Sequence, residues 1–586
     1  DKGLAATPAI EEPGTVAGET AADKKPESPA GMVGQPKPPV TVSIDFDGLQ
    51  NRIIAVGGIP ERQYSSLRAG AAGTVFYLEN LTGGQPSTTP AGATLHRYRL
   101  ADRKAVPFAP GVVDYNVSAD GRKLLYRLAA ASRPEAAAPM PSGPPPAPSL
   151  FLVDADKDPP APGKGRLDYA LRMFLEPKEE FKQIFLEGWR NQRDYLYVPN
   201  MHGADWPRMK EIYGQFLPSV MHRDDLNYLL DMMGAEIAIG HSFVRGGDMP
   251  LVPATHGGLL GADFKIENGR YKITHIYDTE SWNPGLRAPL ATPGIKVSVG
   301  DYVLAVNGEE LRAPDSLYRL LDGTADRQTI LTVNSQPTTE GSRQITVIPV
   351  ANEQGLRTRA WIEANRRLVD KLSDGKLAYA YLPNTAQPGY QSFNRYYFAQ
   401  QEKLGAIIDE RFNGGGSAAD YIIDVLQRKI DGYFNNVAGD RYPFSSPSAG
   451  IWGPKVMITN EMAGSGGDLM PWMFRSRKVG LLVGERTWGG LVHTADTPPF
   501  IDGGTMIAPR GGFFTTSGKW AVENEGIAPD VEVENWPKDV IAGHDPQLER
   551  AVQEAMRMLK QSPVNRLDQE PPPPKWGERR IPLGSN

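Results

Sequence analysis

Asn460-Glu461-Met462-Ala463-Gly464-Ser465-Gly466-Gly467-Asp468 sets one hydroxyl among small residues, between two segments of different periodicity. Before it, Lys455 to Thr459 (KVMIT) reads as a short buried strand; after it, Leu469 to Phe474 (LMPWMF) is apolar at helical spacing, with Pro471 expected to kink it. Ser465 therefore falls at a strand-to-helix junction. Glycines there permit close approach of a ligand, and a helix N-terminus offers N–H groups and the positive end of the dipole. A nucleophile and a developing oxyanion need that chemistry, although a lone Gly-Ser-Gly is also an ordinary loop or N-cap.

Three further blocks keep it company. Upstream, Gly405 to Glu410 (GAIIDE) reads as a buried strand running into Arg411-Phe412-Asn413-Gly414-Gly415-Gly416, whose glycines can turn N–H groups toward a ligand. Downstream stand Gly484-Glu485-Arg486-Thr487-Trp488-Gly489-Gly490 and Val522-Glu523-Asn524-Glu525-Gly526-Ile527-Ala528-Pro529-Asp530. In this order the four blocks resemble the catalytic domain of the tail-specific and tricorn-type serine peptidases, over residues 360–560. The resemblance implies an α/β peptidase domain of crotonase/ClpP-like fold with Ser465 as nucleophile. It makes Glu523 the carboxylate that orients the base, with Glu525 as the local alternative. The oxyanion hole would be the N–H groups of Gly466 and Gly415, with Gly414 as the alternative to Gly415.

Length and composition bound the rest. A chain of 586 residues holds several domains. Its formal net charge of −6 gives no reason to expect a nucleic-acid partner or an anionic membrane surface. No apolar run approaches the ~20 residues that span a bilayer. The chain has no cysteine, which excludes disulfides, thiolate metal sites and a competing thiol nucleophile. The compartment stays open, with periplasmic or exported favoured over cytoplasmic. The start at Asp1, without methionine or signal sequence, raises the expectation of an upstream segment. Without a His-x-x-x-His or an acidic cluster, neither a metal nor an organic cofactor is expected.

Taken in order, residues 1–40 are rich in Ala, Pro, Gly, Glu and Lys and read as a disordered linker. Residues 41–158 read as short alternating strands: Val40 to Phe46, Thr74 to Leu78, Thr94 to Leu100, Val112 to Val117, Lys123 to Leu128 and Ser149 to Asp154, with an Asp120-Gly121 hairpin. They resemble blades of a TolB-like β-propeller. A blade takes about 40 residues and a propeller at least four blades, so the propeller is incomplete here and the remaining blades are expected upstream or in another chain. The Ala/Pro-rich run 129–148 is a long loop within the last blade or an interdomain linker.

Residues 166–250 turn helical, with amphipathic stretches at Pro177 to Tyr197, Trp206 to Leu217 and Arg223 to Ile237. At their end stands Gly240-His241-Ser242. In tricorn-type peptidases a small helical subdomain ends in a serine-histidine pair, so the resemblance makes His241 the general base and puts Gly240 where the family has serine. His493, after the Thr-Trp-Gly-Gly loop, is the rival base, and Gly490 stands where the tail-specific branch carries a lysine. Residues 255–350 resemble a PDZ-like β-barrel, whose Gly258, Leu259, Leu260 and Gly261 would receive a peptide carboxylate. A helix from Ala360 leads into the peptidase domain, and residues 561–586, with Pro571 to Pro574, read as an extended tail.

The expected activity is hydrolysis of peptides or unfolded proteins by a homo-oligomer. The alternative is a scaffold of propeller, PDZ and inactive peptidase relic, which has no need to retain Ser465, Gly415, His241 and Glu523 together.

Overall fold

The computed structural model describes residues 45–573, except 53–55, 61, 81–91, 129–148, 170–171, 250–251, 253–254, 279, 281–282, 440 and 496. The linker expected over 1–40, the run 129–148 and the end of the tail lie outside the described residues.

Tyr64–Ala69 (β1), Thr74–Glu79 (β2), Ala93–Arg99 (β3), Lys104–Val117 (β4), Lys123–Leu128 (β5), Leu150–Asp154 (β6) and Arg166–Leu167 (β7) pair in chain order as one antiparallel sheet. Phe76, Leu78, Leu95, Tyr115 and Leu124 form its core. Gly121, at φ +72°, makes the expected hairpin, its N–H donating to Ser118 O at 2.8 Å. The pairing is one continuous meander, with no break between β1–β4 and β4–β7. The reason lies in β4, which is 14 residues long and pairs with β3 along its first part and with β5 along its second. It turns at Gly111 (φ +71°) beside register shifts in both ladders.

Pro177–Tyr195 (α1), Trp206–Gly214 (α2) and Arg223–Ala235 (α3) form the helical unit. Phe181, Ile184, Phe185 and Trp189 recur at helical spacing on α1 and close on Leu226, Leu230 and Met233 of α3. Phe500 and Met506, from far along the chain, complete this core. Val244–Arg245 (β8) then pairs antiparallel with Thr505–Met506, so the segment that follows α3 is stitched to a strand far along the chain.

Ala262–Glu267 (β9), Arg270–Ile276 (β10), Tyr302–Val306 (β11), Glu309–Glu310 (β12), the short helix Leu317–Leu320 (α4), Thr329–Asn334 (β13) and Arg343–Val347 (β14) build the third unit. Its sheet runs β14-β13-β11-β10-β9, with β12 beside β11. Among the described residues this path is open, whereas the sequence reading expected a barrel: no pairing joins β9 to β14.

Gln354–Leu372 (α5) leads into the last unit: Leu377–Tyr381 (β15), Gln387–Phe398 (α6), Gly405–Asp409 (β16), Ala419–Leu426 (α7), the hairpin Gly432–Phe434 (β17) and Phe444–Ser446 (β18), Lys455–Thr459 (β19), Gly466–Ser476 (α8), Gly480–Gly484 (β20), Thr505–Met506 (β21), Val531–Glu532 (β22), Pro537–Ile541 (α9) and Pro546–Gln561 (α10). The sheet is parallel, in the order β15-β16-β19-β20-β22. LAYAY, GAIID and KVMIT are buried throughout, as strands of a helix-covered parallel sheet must be. Helix α6, absent from the sequence reading, buries Phe393, Tyr396 and Tyr397. Helix α8 runs unbroken through Pro471.

Candidate active site

Three loops leave the carboxyl ends of the adjacent strands β16, β19 and β20, the edge where parallel α/β sheets hold their ligands. They are the Arg411 to Gly416 loop, the Asn460 to Ser465 turn and the Glu485 to Gly490 loop. Arg411 anchors the first: it is buried, grips Asp409 at 2.9 and 2.6 Å, and reaches Asp545 at the start of α10.

Ser465 caps α8 at φ +59°, ψ −116°, a conformation costly for a residue with a side chain. Its N–H is held by Asp468 Oδ2 at 2.8 Å and by Gly490 O at 3.1 Å. Gly415 comes so close that a Cβ there would stand 2.6 Å from Ser465 Cβ, at φ +84°. The Gly415 N–H donates to Asn413 Oδ1 at 2.9 Å and the Gly414 N–H to Pro383 O at 3.1 Å, so both expected loop donors are engaged within the structure. Gly466 is the first residue of α8, where N–H groups have no intrahelical acceptor.

His241 is half-buried, at φ +62°, between the helical unit and β8. Its ring lies 5.4 Å from that of Trp488 and 5.7 Å from that of Phe243. Trp488 is the shared wall: its ring also covers Gly464, the neighbour of Ser465, where a Cβ would meet it at 2.6 Å. Nucleophile and base candidates thus border one indole. Burial pushes the imidazole below its ordinary 6.5; Glu523 and Asp468 pull it up and His493 pushes it further down. His241 Nδ1 is buried without a hydrogen-bond partner.

Glu523 lies beside this ring but spends its oxygens on the backbone. Oε1 accepts from Gly240 N–H at 2.8 Å, and Oε2 from Leu491 N–H at 2.7 Å and Val492 N–H at 2.9 Å. It fixes the segment that carries His241. His493 is exposed and backbone-paired with Gly511.

In the third unit, the loop expected to receive a carboxylate is occupied by its own chain. Gly258 N–H donates to Leu321 O and Leu259 N–H to Val350 O, both at 2.8 Å. Gly261 N–H donates to Glu353 Oε2 at 2.9 Å, and the Leu260 side chain is buried in the core.

The sequence assigns no role to Asp468 and does not place Trp488 against Gly464 and His241. The Ser-x-x-Asp spacing, a capping-box pattern, was the available signal for Asp468; nothing local marks Trp488.

A serine at a strained strand-to-helix turn, a histidine packed on the indole that covers the neighbouring Gly464, and the buried Asp468 carboxylate on the serine's N–H give an α/β site that holds the kinds of group a serine peptidase uses. Residues 177–235 match the Tricorn protease C1 domain, 258–352 the Tricorn protease PDZ domain and 376–533 Peptidase family S41. In these three segments the chain matches the tricorn-type serine peptidases. It is 31% identical over 539 residues to Tricorn protease homolog 1 of Streptomyces coelicolor, an alignment covering 89% of this chain and 48% of the relative. It is 28% identical over 474 residues to the Tricorn protease of Thermoplasma volcanium, covering 81% and 44%. A crystal structure of the tricorn protease matches with a TM-score of 0.72 at 26% identity, over 85% of this chain and 46% of that one. The chain spans about half the length of these relatives.

Proposed function

We propose that the chain hydrolyses peptide bonds in peptides or unfolded proteins. The observation that carries this reading is that the Trp488 indole packs against both the His241 ring and Gly464, the residue before Ser465, although these come from different units. In this reading Ser465 Oγ attacks the scissile carbonyl, and neutral His241 takes its proton and returns it to the leaving amine. Glu523 stabilises the imidazolium by its charge and holds the backbone at Gly240. Gly466 N–H and Gly415 N–H stabilise the oxyanion, the latter exchanging Asn413 Oδ1 for the more strongly accepting anion. No metal or organic cofactor takes part.

Strands β1–β4 and β4–β7 are two sets of four that share β4, which supports reading them as propeller blades completed upstream or in another chain. A homo-oligomer would enclose the site and spare folded proteins. Among the described residues no helix is long and apolar enough to cross a membrane.

The test is a fluorogenic peptide panel on the purified protein beside Ser465→Ala and His241→Ala. Each variant is expected to lose about 10⁴-fold or more in kcat. Hydrolysis that survives Ser465→Ala would defeat the assignment, and parent-level activity in His241→Ala would transfer the base role to His493. Light scattering reads the oligomer; a fully active monomer that also cuts folded proteins would remove the enclosure.

A further inference from the structure

Asp468 holds four donors with a carboxylate that solvent does not reach. Oδ2 accepts from Ser465 N–H at 2.8 Å and Gly490 N–H at 3.1 Å, and Oδ1 from Gly489 N–H at 2.8 Å and from the Thr487 hydroxyl. Burial pushes this carboxyl's pKa up, and the same donors pull it down. With donors aimed at both oxygens no site is left for a proton without breaking a bond, so the arrangement selects the ionised form.

We infer that Asp468 is a positioning residue, the joint that keeps nucleophile and base in register; this rests on the peptidase reading above. The connection runs through named bonds. Gly489, held by Asp468, accepts at its carbonyl from Asn524 N–H at 2.7 Å, and the Asn524 side chain donates to Ala238 O at 2.8 Å. Neighbouring Glu523 holds Gly240, Leu491 and Val492. Thr487 Oγ1, donating to Asp468, accepts from Ile527 N–H at 2.9 Å. From the N–H of Ser465 to the backbone flanking His241 the relay is unbroken; the Ser465 turn joins it through Asp468 and through the bond from Ser465 N–H to Gly490 O, and Asp468 is the side chain that gathers Ser465, Thr487, Gly489 and Gly490 at one point. The charged and titratable groups facing this region are Glu523 and His493 around His241, and Glu410 beside Asp468, buried and pushed well toward its protonated form.

Asp468→Asn puts an amide donor where donors already point. Complete labelling with a fluorophosphonate counts the competent serines, and kcat per labelled site is then read across pH. The expected result is roughly 100-fold lower kcat per site, the scale of a misplacement of about 1 Å, with KM near that of the parent. The acid midpoint should also move to lower pH, because loss of a negative charge near His241 destabilises the imidazolium. A purely structural role would reduce the number of labelled sites and leave kcat per site unchanged, and that result overturns the inference whatever the midpoint does, because removing the charge moves the midpoint in either case. If Asp468→Asn does not fold, Thr487→Val removes one donor at nearly equal volume, and unchanged kcat per site there overturns the inference equally. A parent without Ser465-dependent hydrolysis defeats the peptidase reading and this inference with it; an active parent with an equally active Asp468→Asn defeats the inference alone.

Discussion

The N–H of Gly240 donates to Glu523 Oε1 at 2.8 Å, so the carboxylate behind His241 grips the backbone one residue before it. A Cβ at position 240 would stand 3.2 Å from that same oxygen, 3.1 Å from Gly490 Cα and 3.2 Å from the Trp488 ring. The space admits a small side chain with slight adjustment, and His241 Nδ1 nearby is an orphan. Gly240→Ser is therefore expected to raise kcat about fivefold, the worth of one hydrogen bond of ~1 kcal/mol. Gly240→Ala, which fills the space without a hydroxyl, should not. Steady-state kinetics on the pair checks this, and equal rates would show that the hydroxyl has no role.

The pH profile follows from the His241 environment. With His241 as the proposed base, acting as neutral imidazole, the rate should rise with pH through its pKa, and burial places that pKa below the ordinary 6.5. The acid midpoint of kcat/KM is expected below 6.5. A midpoint well above it would point to a different base.

Gly415→Ala is expected to cut kcat by about 100-fold. The added methyl meets Ser465 Cβ at 2.6 Å and forces a side chain into φ +84°. Labelling by a fluorophosphonate should slow in parallel; unimpaired labelling would mean that the loop yields.

Arg223 and Asp502 form an ion pair at 2.6 Å with both side chains 1% exposed, tying α3 to the turn before β21. Asp502→Asn leaves the guanidinium short of a counter-charge and should destabilise the helical unit by about 3–5 kcal/mol. Chemical denaturation followed by Trp189 and Trp206 fluorescence reads this, and a loss below ~1 kcal/mol would be the contrary result.

Because Glu353 occupies Gly261 N–H, the parent should not distinguish peptides ending in a carboxylate from their amides. Calorimetric titration with such a pair, at the parent and at Glu353→Gln, checks it. Selective carboxylate binding by the parent would restore the peptide-receiving role of the loop.

What the amino-acid sequence by itself determined is local. Buried parallel strands are near-continuous apolar runs and helix faces repeat every three to four residues, so GAIID, KVMIT and the three helices of 177–235 could be read without coordinates. Ser465 was legible because glycines and a strand-to-helix switch sit beside it in the chain. Helix α6 carries the same period, with Phe393, Tyr396 and Tyr397 at i, i+3 and i+4, but its first turn holds Pro388-Gly389, a pair that locally signals a turn. The tertiary structure alone decided that His241 faces Trp488, because this depends on β8 pairing with β21 and on Phe500 and Met506 entering the helical core, contacts between segments far apart in the chain. It alone decided also where hydrogen bonds go. Glu523 turned to backbone N–H groups, Gly415 N–H to Asn413 and Gly261 N–H to Glu353. A motif names the groups able to donate and accept, but most buried polar groups find a partner, and the partner each one takes is set by which atoms folding brings within about 3 Å.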